Sequence, residues 1–150
     1  MAKKEEKRNL ETIPVGSLGV IALKGCQTLG EKVDYYLVKW RTQRKNEHKG
    51  SLAFAGYQRG TYLLNVDIPR FGSGEAKGII QESVRGDDLY IMVDVCNYSM
   101  TYSLCGQQNR MSPDDHYQNL KRIISAVGGK ARRITVIMPF LYESRQHKRT

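Results

Sequence analysis

The chain has 150 residues, 40% hydrophobic and 26% charged, with 24 Lys and Arg against 15 Asp and Glu and a formal net charge of +9. That length builds one domain with its own hydrophobic core and falls short of two of ordinary size. No stretch approaches the roughly 20 apolar residues of a membrane-spanning helix, which excludes that class. The basic excess, gathered at the two ends, attracts polyanions without choosing among nucleic acid, nucleotides and phosphorylated metabolites.

Residues 1–15 open with MAKKEEKRNLETIP, charged in both signs, and match neither a secretory signal nor an acid-poor transit peptide. They read as a flexible arm on a cytoplasmic protein, with the folded domain spanning 16–150. Cys26, Cys96 and Cys105 are odd in number and widely spaced, against both a disulfide framework and a CxxC metal knuckle; reduced structural thiols are expected.

LGVIAL, from Leu18, is a short continuous apolar run suited to a strand buried on both faces. Leu29, Val33, Tyr36, Leu37 and Trp40 then recur at helical spacing, which predicts an amphipathic helix from Cys26 to about Gln43 whose stripe packs on the core. RTQRKNEHKGS shows no periodicity and reads as a loop, with His48 solvated. TYLLNVDI reads as a strand ended by Pro69. FGSGEAKG matches neither phosphate-loop pattern and reads as a turn. LYIMVDV, Leu89 to Val95, is a second strongly apolar strand, and NYSMTYSLCGQQNRM after it reads as an irregular connection at a functional edge or a local elaboration.

SPDDHYQNLKRIISAVGG carries the clearest local signal. Ser112 is a candidate N-cap, Pro113 fits the first helical position, and Asp114 and Asp115 complement the positive end of the helix dipole. Tyr117, Leu120, Ile123, Ile124 and Val127 form the expected buried stripe, and Gly128 and Gly129 stop the helix. Asp114, Asp115 and His116 could also serve a metal, but the helix start already accounts for the aspartates. RRITVIMPF follows as another buried strand. A strand, helix, strand unit from Leu89 to Phe140 builds parallel sheet, so the fold class is α/β, a mostly parallel sheet flanked by helices.

In such sheets ligands bind beyond the carboxyl ends of the strands, where Pro139 to Arg149 lies. There an Arg can stack on a purine or hold a phosphate by two hydrogen bonds, and a Gln can pair with an adenine edge. Taken alone, a basic run at that place is also an ordinary solvated tail.

Four separated stretches, RFGSGEAKGIIQESVRGDDLYIMVDV, DDHYQNLKRIISA, KARRITVIMP and the terminal RQ, resemble in order and context the N-terminal half of the ribose-phosphate pyrophosphokinase (PRPP synthetase) family. The resemblance covers roughly Gly16 to Thr150 and is strongest from Arg70 onward. It implies a phosphoribosyltransferase-like N-terminal domain of an enzyme that transfers diphosphate from ATP to ribose 5-phosphate, using Mg2+ whose ligands lie mainly outside this chain. It also implies an adenine site at Phe71, Ser73 and Glu75, completed by Arg145 and Gln146 of a neighbouring subunit, and hence a homo-oligomer. Ser83 and Arg85 match positions that bind a regulatory phosphate; the alternative is that Val84 and Gly86 simply shape a turn. Ser73 stands where the family has Asn or Asp, His147 where it has Asp, and Tyr142, Glu143 and Ser144 also depart from the pattern. Residues 42–60 and 97–110 look like insertions.

The family's metal-binding His and its catalytic and ribose-phosphate loops lie beyond this stretch, so the chain alone is expected to bind nucleotide without making PRPP. Two other readings stand beside it: a non-catalytic relative that docks with or regulates a full-length enzyme, and, ranked last for want of a motif, an RNA-binding module. Neither a membrane nor a nucleic-acid partner is expected.

Overall fold

The computed structural model describes residues 14–47, 57–146 and 148. Most of the expected N-terminal arm, His48, His147 and residues 48–56 of the first expected insertion lie outside these residues. In chain order the elements are β1 (Leu18–Ala22), α1 (Gln27–Asn46), β2 (Val66–Asp67), β3 (Ile79–Ile80), β4 (Asp88–Met92), β5 (Thr101–Leu104), β6 (Gln107–Arg110), α2 (Pro113–Val127) and β7 (Arg133–Ile137). Among the described residues no helix is long and apolar enough to cross a membrane.

The centre is a three-stranded parallel sheet in the order β1, β4, β7. Leu18 pairs with Asp88 and Ala22 with Met92 on one side of β4; Asp88 pairs with Arg133 and Met92 with Ile137 on the other. This confirms the α/β class and the strand, helix, strand unit, since β4 and β7 are parallel neighbours joined through α2. Two short antiparallel pairs, β2 with β3 and β5 with β6, stand apart from it.

Alternate strand residues face opposite sides, and each side has its own core. Ile21, Leu89, Ile91 and Val93 pack with Leu120, Ile123 and Val127 of α2. Val20 and Met92 pack on the other side with Cys26 and Tyr62, against Val33, Leu37 and Val38 of α1. At Gly30 the helix comes so close to β1 that a Cβ there would lie 2.4 Å from the Ala22 Cβ. At the sheet's amino end, Arg133 donates two hydrogen bonds to Asp88, at 2.7 and 2.5 Å, tying β7 to β4 through their first paired residues.

Helix α2 begins as its sequence requires. Ser112 accepts from the Asp115 backbone N–H, Asp115 accepts from the Ser112 backbone N–H, Pro113 follows the cap, and Gly128 ends the helix in the left-handed conformation. Its buried face is His116, Leu120, Ile123 and Val127; Tyr117 is half-buried and Ile124 exposed, so the stripe is rotated from the expected one.

Four other expectations are corrected. The loop predicted after Gln43 is helical through Asn46, because solvent-facing Arg, Lys and Gln support a helix without leaving an apolar period. In α1, Leu29, Tyr36 and Trp40 of the predicted buried stripe are 45%, 48% and 58% exposed. The strand predicted over Thr61–Ile68 is only partly one: Leu63 bridges Val20 in parallel, and β2 covers two residues. Finally, β7 is an edge strand with Val136 and Ile137 exposed, not a buried one.

Of the two readings of the stretch after Val95, irregular connection or local elaboration, the structure shows the second, the β5–β6 hairpin. Its two-residue turn, Cys105 and Gly106, has φ of 51° and 78°, the paired positive values of the tight turn that suits the twist of a hairpin.

Candidate nucleotide site

The stretch read as a turn is one. Arg70 bridges Ala76, the Phe71 N–H donates to the Glu75 carbonyl at 2.8 Å, and the Gly74 N–H donates back to the Phe71 carbonyl at 2.9 Å. Gly74, at φ 88°, takes the conformation that side chains resist. This closed turn leaves Phe71 52% exposed, so an aromatic face is available for stacking. The Ser73 hydroxyl donates to the Glu75 carboxylate at 3.0 Å, which orients that carboxylate while leaving its other oxygen able to accept from a ligand amine.

Arg70, just before the turn, is the hub beneath it. Its guanidinium donates to the Gly74 carbonyl at 3.0 Å and to the Asp115 carboxylate at 3.1 Å, and lies 3.9 Å from the centroid of the Tyr102 ring. The side chain is 11% exposed. Burial works to raise the Asp115 carboxyl, but the Ser112 backbone and hydroxyl and the Arg70 guanidinium outweigh it and hold Asp115 below the ordinary carboxylate value. Three segments distant in sequence thus meet at one cation: the turn, the start of α2 and the hairpin. Beneath the hairpin a cleft of about 880 Å³ reaches the carboxyl end of β1, lined by Lys24, Gln27, Asp67, Arg70, Tyr102 and Gln108 among others.

The terminal segment leaves β7 at its carboxyl end. The Tyr142 ring stacks on Tyr117 with centroids 4.2 Å apart, and its hydroxyl donates to the Asp114 carboxylate at 2.5 Å. That hydrogen bond is the chief reason its phenol is pushed up to about 12. So anchored, Phe140, Tyr142 and Arg145 line a cleft of about 290 Å³ with Cys96, Tyr98 and Asp114. Gln146 is exposed, and its N–H donates to the Glu143 carbonyl. Phe71, Ser73 and Glu75 are not among the residues lining this cleft.

Ser83 and Arg85 are both exposed on one turn, where the Arg85 N–H donates to the Ser83 hydroxyl at 3.4 Å. Between and beside them Val84 is buried and Gly86 sits at φ 78°, so the turn is also built for packing. The metal alternative at the α2 start has no support: Asp115 caps, Asp114 holds Tyr142, and the buried His116 donates from Nε2 to the Asn97 carbonyl at 2.9 Å. Among the described residues no group of three His, Cys, Asp or Glu could hold a metal ion.

Sequence reasoning missed Arg70, Tyr102 and the second role of Asp115. For the hairpin the local signal was faint, a single glycine between two short runs, since Cys-Gly is not one of the favoured turn pairs.

A family profile described as the N-terminal domain of ribose phosphate pyrophosphokinase matches residues 18–150. Ribose-phosphate pyrophosphokinase 1 of Schizosaccharomyces pombe is 35% identical over 102 residues, 67% of this chain and 22% of that protein. Ribose-phosphate pyrophosphokinase B of Dictyostelium discoideum is 33% identical over 89 residues, 59% of this chain and 23% of that protein. The matched stretch is thus under a quarter of either relative's length. With a parallel α/β sheet at its centre and a match across nearly its whole length, the chain belongs to the N-terminal domain family of the ribose phosphate pyrophosphokinases.

Proposed function

We propose that this chain is the N-terminal, nucleotide-binding portion of a ribose-phosphate diphosphokinase, which transfers diphosphate from ATP to ribose 5-phosphate to give PRPP and AMP, and that it does not carry out the reaction alone. The observation that carries the reading is the closed Phe71–Glu75 turn, with its ring exposed and its carboxylate oriented, in a chain of this family. Phe71 stacks on the adenine and Glu75 accepts from its exocyclic amine. Ser73, shorter than the Asn or Asp of the pattern, acts through Glu75.

Arg145 and Gln146 reach the nucleotide held by the turn of a neighbouring copy, so the site forms between protomers of a homo-oligomer. Arg145 supplies the second stacking plane and Gln146 a hydrogen-bonding edge. Ser83 and Arg85 form the phosphate-sensing pair. Mg2+, when bound with ATP, would neutralise the triphosphate, with its protein ligands mainly outside this chain; the described residues hold no cluster of three His, Cys, Asp or Glu.

ATP binding to the full-length protein tests this reading. Removing a stacking ring costs about 1–3 kcal/mol per base, so Phe71→Ala weakens ATP by about 5-fold to 150-fold. Arg145→Ala weakens it as well. ATP affinity unchanged by both substitutions refutes the pocket, and PRPP formation by the purified 150-residue chain refutes the claim that it is inactive alone.

The non-catalytic docking reading draws on the exposed apolar stripe of α1, with Tyr35 60%, Tyr36 48% and Trp40 58% exposed. Mixing the chain with a full-length relative tests it: no heteromer and no change in activity rejects it.

A further inference from the structure

We infer that the β5–β6 hairpin is a positioning element for the nucleotide site, with Tyr102 acting through Arg70 to hold the Phe71–Glu75 turn in its binding shape. This rests on the reading of that turn as the adenine site. The hairpin lies within the stretch expected from the sequence to be an insertion, and it packs directly on the turn. At the near end of β5, the Tyr102 ring lies 3.9 Å beneath the Arg70 guanidinium. At its far end, a Cβ placed on Gly74 would meet Leu104 Cδ2 at 3.7 Å, ordinary van der Waals contact. At the tip, Cys105 Sγ lies 3.9 Å from the Gly72 carbonyl oxygen.

Arg70 and Gly72 are therefore both met by one hairpin, whose Leu104 is the nearest side chain to Gly74, while Phe71 between them keeps its ring open. An isolated two-stranded hairpin is marginally stable in water, and this one pairs with no other strand among those described. Its docking on Arg70 and the turn makes hairpin and turn a single unit, each ordering the other. A turn already in its bound shape loses less freedom when the nucleotide arrives, and that saving appears as affinity. Asp115 is the fixed point, because the capping box holds it to the first turn of α2 while Arg70 is held to it.

The test compares Tyr102→Leu, Tyr102→Phe and Phe71→Ala in the full-length protein, by equilibrium ATP binding well below each melting temperature. Losing the ring under a partly desolvated guanidinium is expected to weaken ATP about fivefold in Tyr102→Leu, while Tyr102→Phe, which keeps the π face, stays within about twofold of wild type. A merely structural role would not divide the two variants this way. If Phe71→Ala weakens ATP and Tyr102→Leu does not, the positioning role is wrong and the adenine site stands. If neither changes ATP affinity, the site assignment fails and the inference goes with it. Should Tyr102→Leu not fold, Leu104→Ser, which removes the apolar side chain nearest Gly74 at the other end of β5, is read on the same terms.

Discussion

Gly30→Ala sets two effects of known size against each other. In an exposed helix interior the change stabilises by about 1 kcal/mol, because Ala restricts the unfolded chain and favours helix. Here the new methyl would lie 2.4 Å from the Ala22 Cβ, more than 1 Å inside ordinary contact, and Ala22 has no flexible end that could swing aside. Either α1 lifts from β1 by about 1 Å or the strand bends, and overpacking of this kind costs about 1–3 kcal/mol. The depth of overlap places the cost at the upper end, so the net loss is about 2 kcal/mol and the melting temperature falls by about 4–8 °C for a chain of this size. Thermal and urea unfolding followed by circular dichroism measure it. The double variant Gly30→Ala with Ala22→Gly moves the methyl from strand to helix and recovers part of the loss. A single variant as stable as wild type, or more so, refutes the close approach of α1 to β1 and the layer built on it.

Asp115→Asn removes a carboxylate held below its ordinary value of 3.8 by Ser112 and Arg70. A depressed folded-state pKa gives stability that is full above the unfolded value and lost as pH falls through the folded one; the urea midpoints of wild type and variant should differ at pH 7 and converge below about pH 3.8. Ile123→Ala, at a fully buried position of α2, is expected to cost about 2–5 kcal/mol in the same unfolding assay. A thiol reagent should modify the exposed Cys105 first and Cys26 last, since burial, with Asp94 nearby, pushes the Cys26 thiol up; mass spectrometry of partly labelled protein gives the order. In a spectroscopic pH titration, comparison with Tyr142→Phe should assign to Tyr142 a phenol ionising near 12 rather than 10.

Helix α2 was legible because its cap, its first-turn acids, the centre of its stripe at Leu120, Ile123 and Val127 and its terminating glycine are written in contiguous residues, and β1 and β4 because both their faces are apolar. The buried face of α1 was not. The expected stripe of Leu29, Val33, Tyr36, Leu37 and Trp40 and the true face of Gly30, Val33, Leu37 and Val38 share one helical period and two residues, Val33 and Leu37. The choice between them was made by Gly30, whose missing side chain lets the helix settle on β1; a residue with no hydrophobic signal set the orientation. The hairpin was hidden because it stands off the main sheet with mostly polar residues on both faces. The turn at Phe71 could be read from its glycines, whereas its support could not, since Arg70 meets an aspartate 45 positions later and no local pattern records that.

The exposed side of α1 carries the chain's one tryptophan, with the Tyr36 ring 5.6 Å from it. Trp40 is therefore a built-in optical probe: a water-facing indole emits at long wavelength, and anything that covers this helix face moves its emission toward the blue. The same spectrum, taken as protein concentration rises and as a relative is titrated in, shows directly whether that face stays open to water.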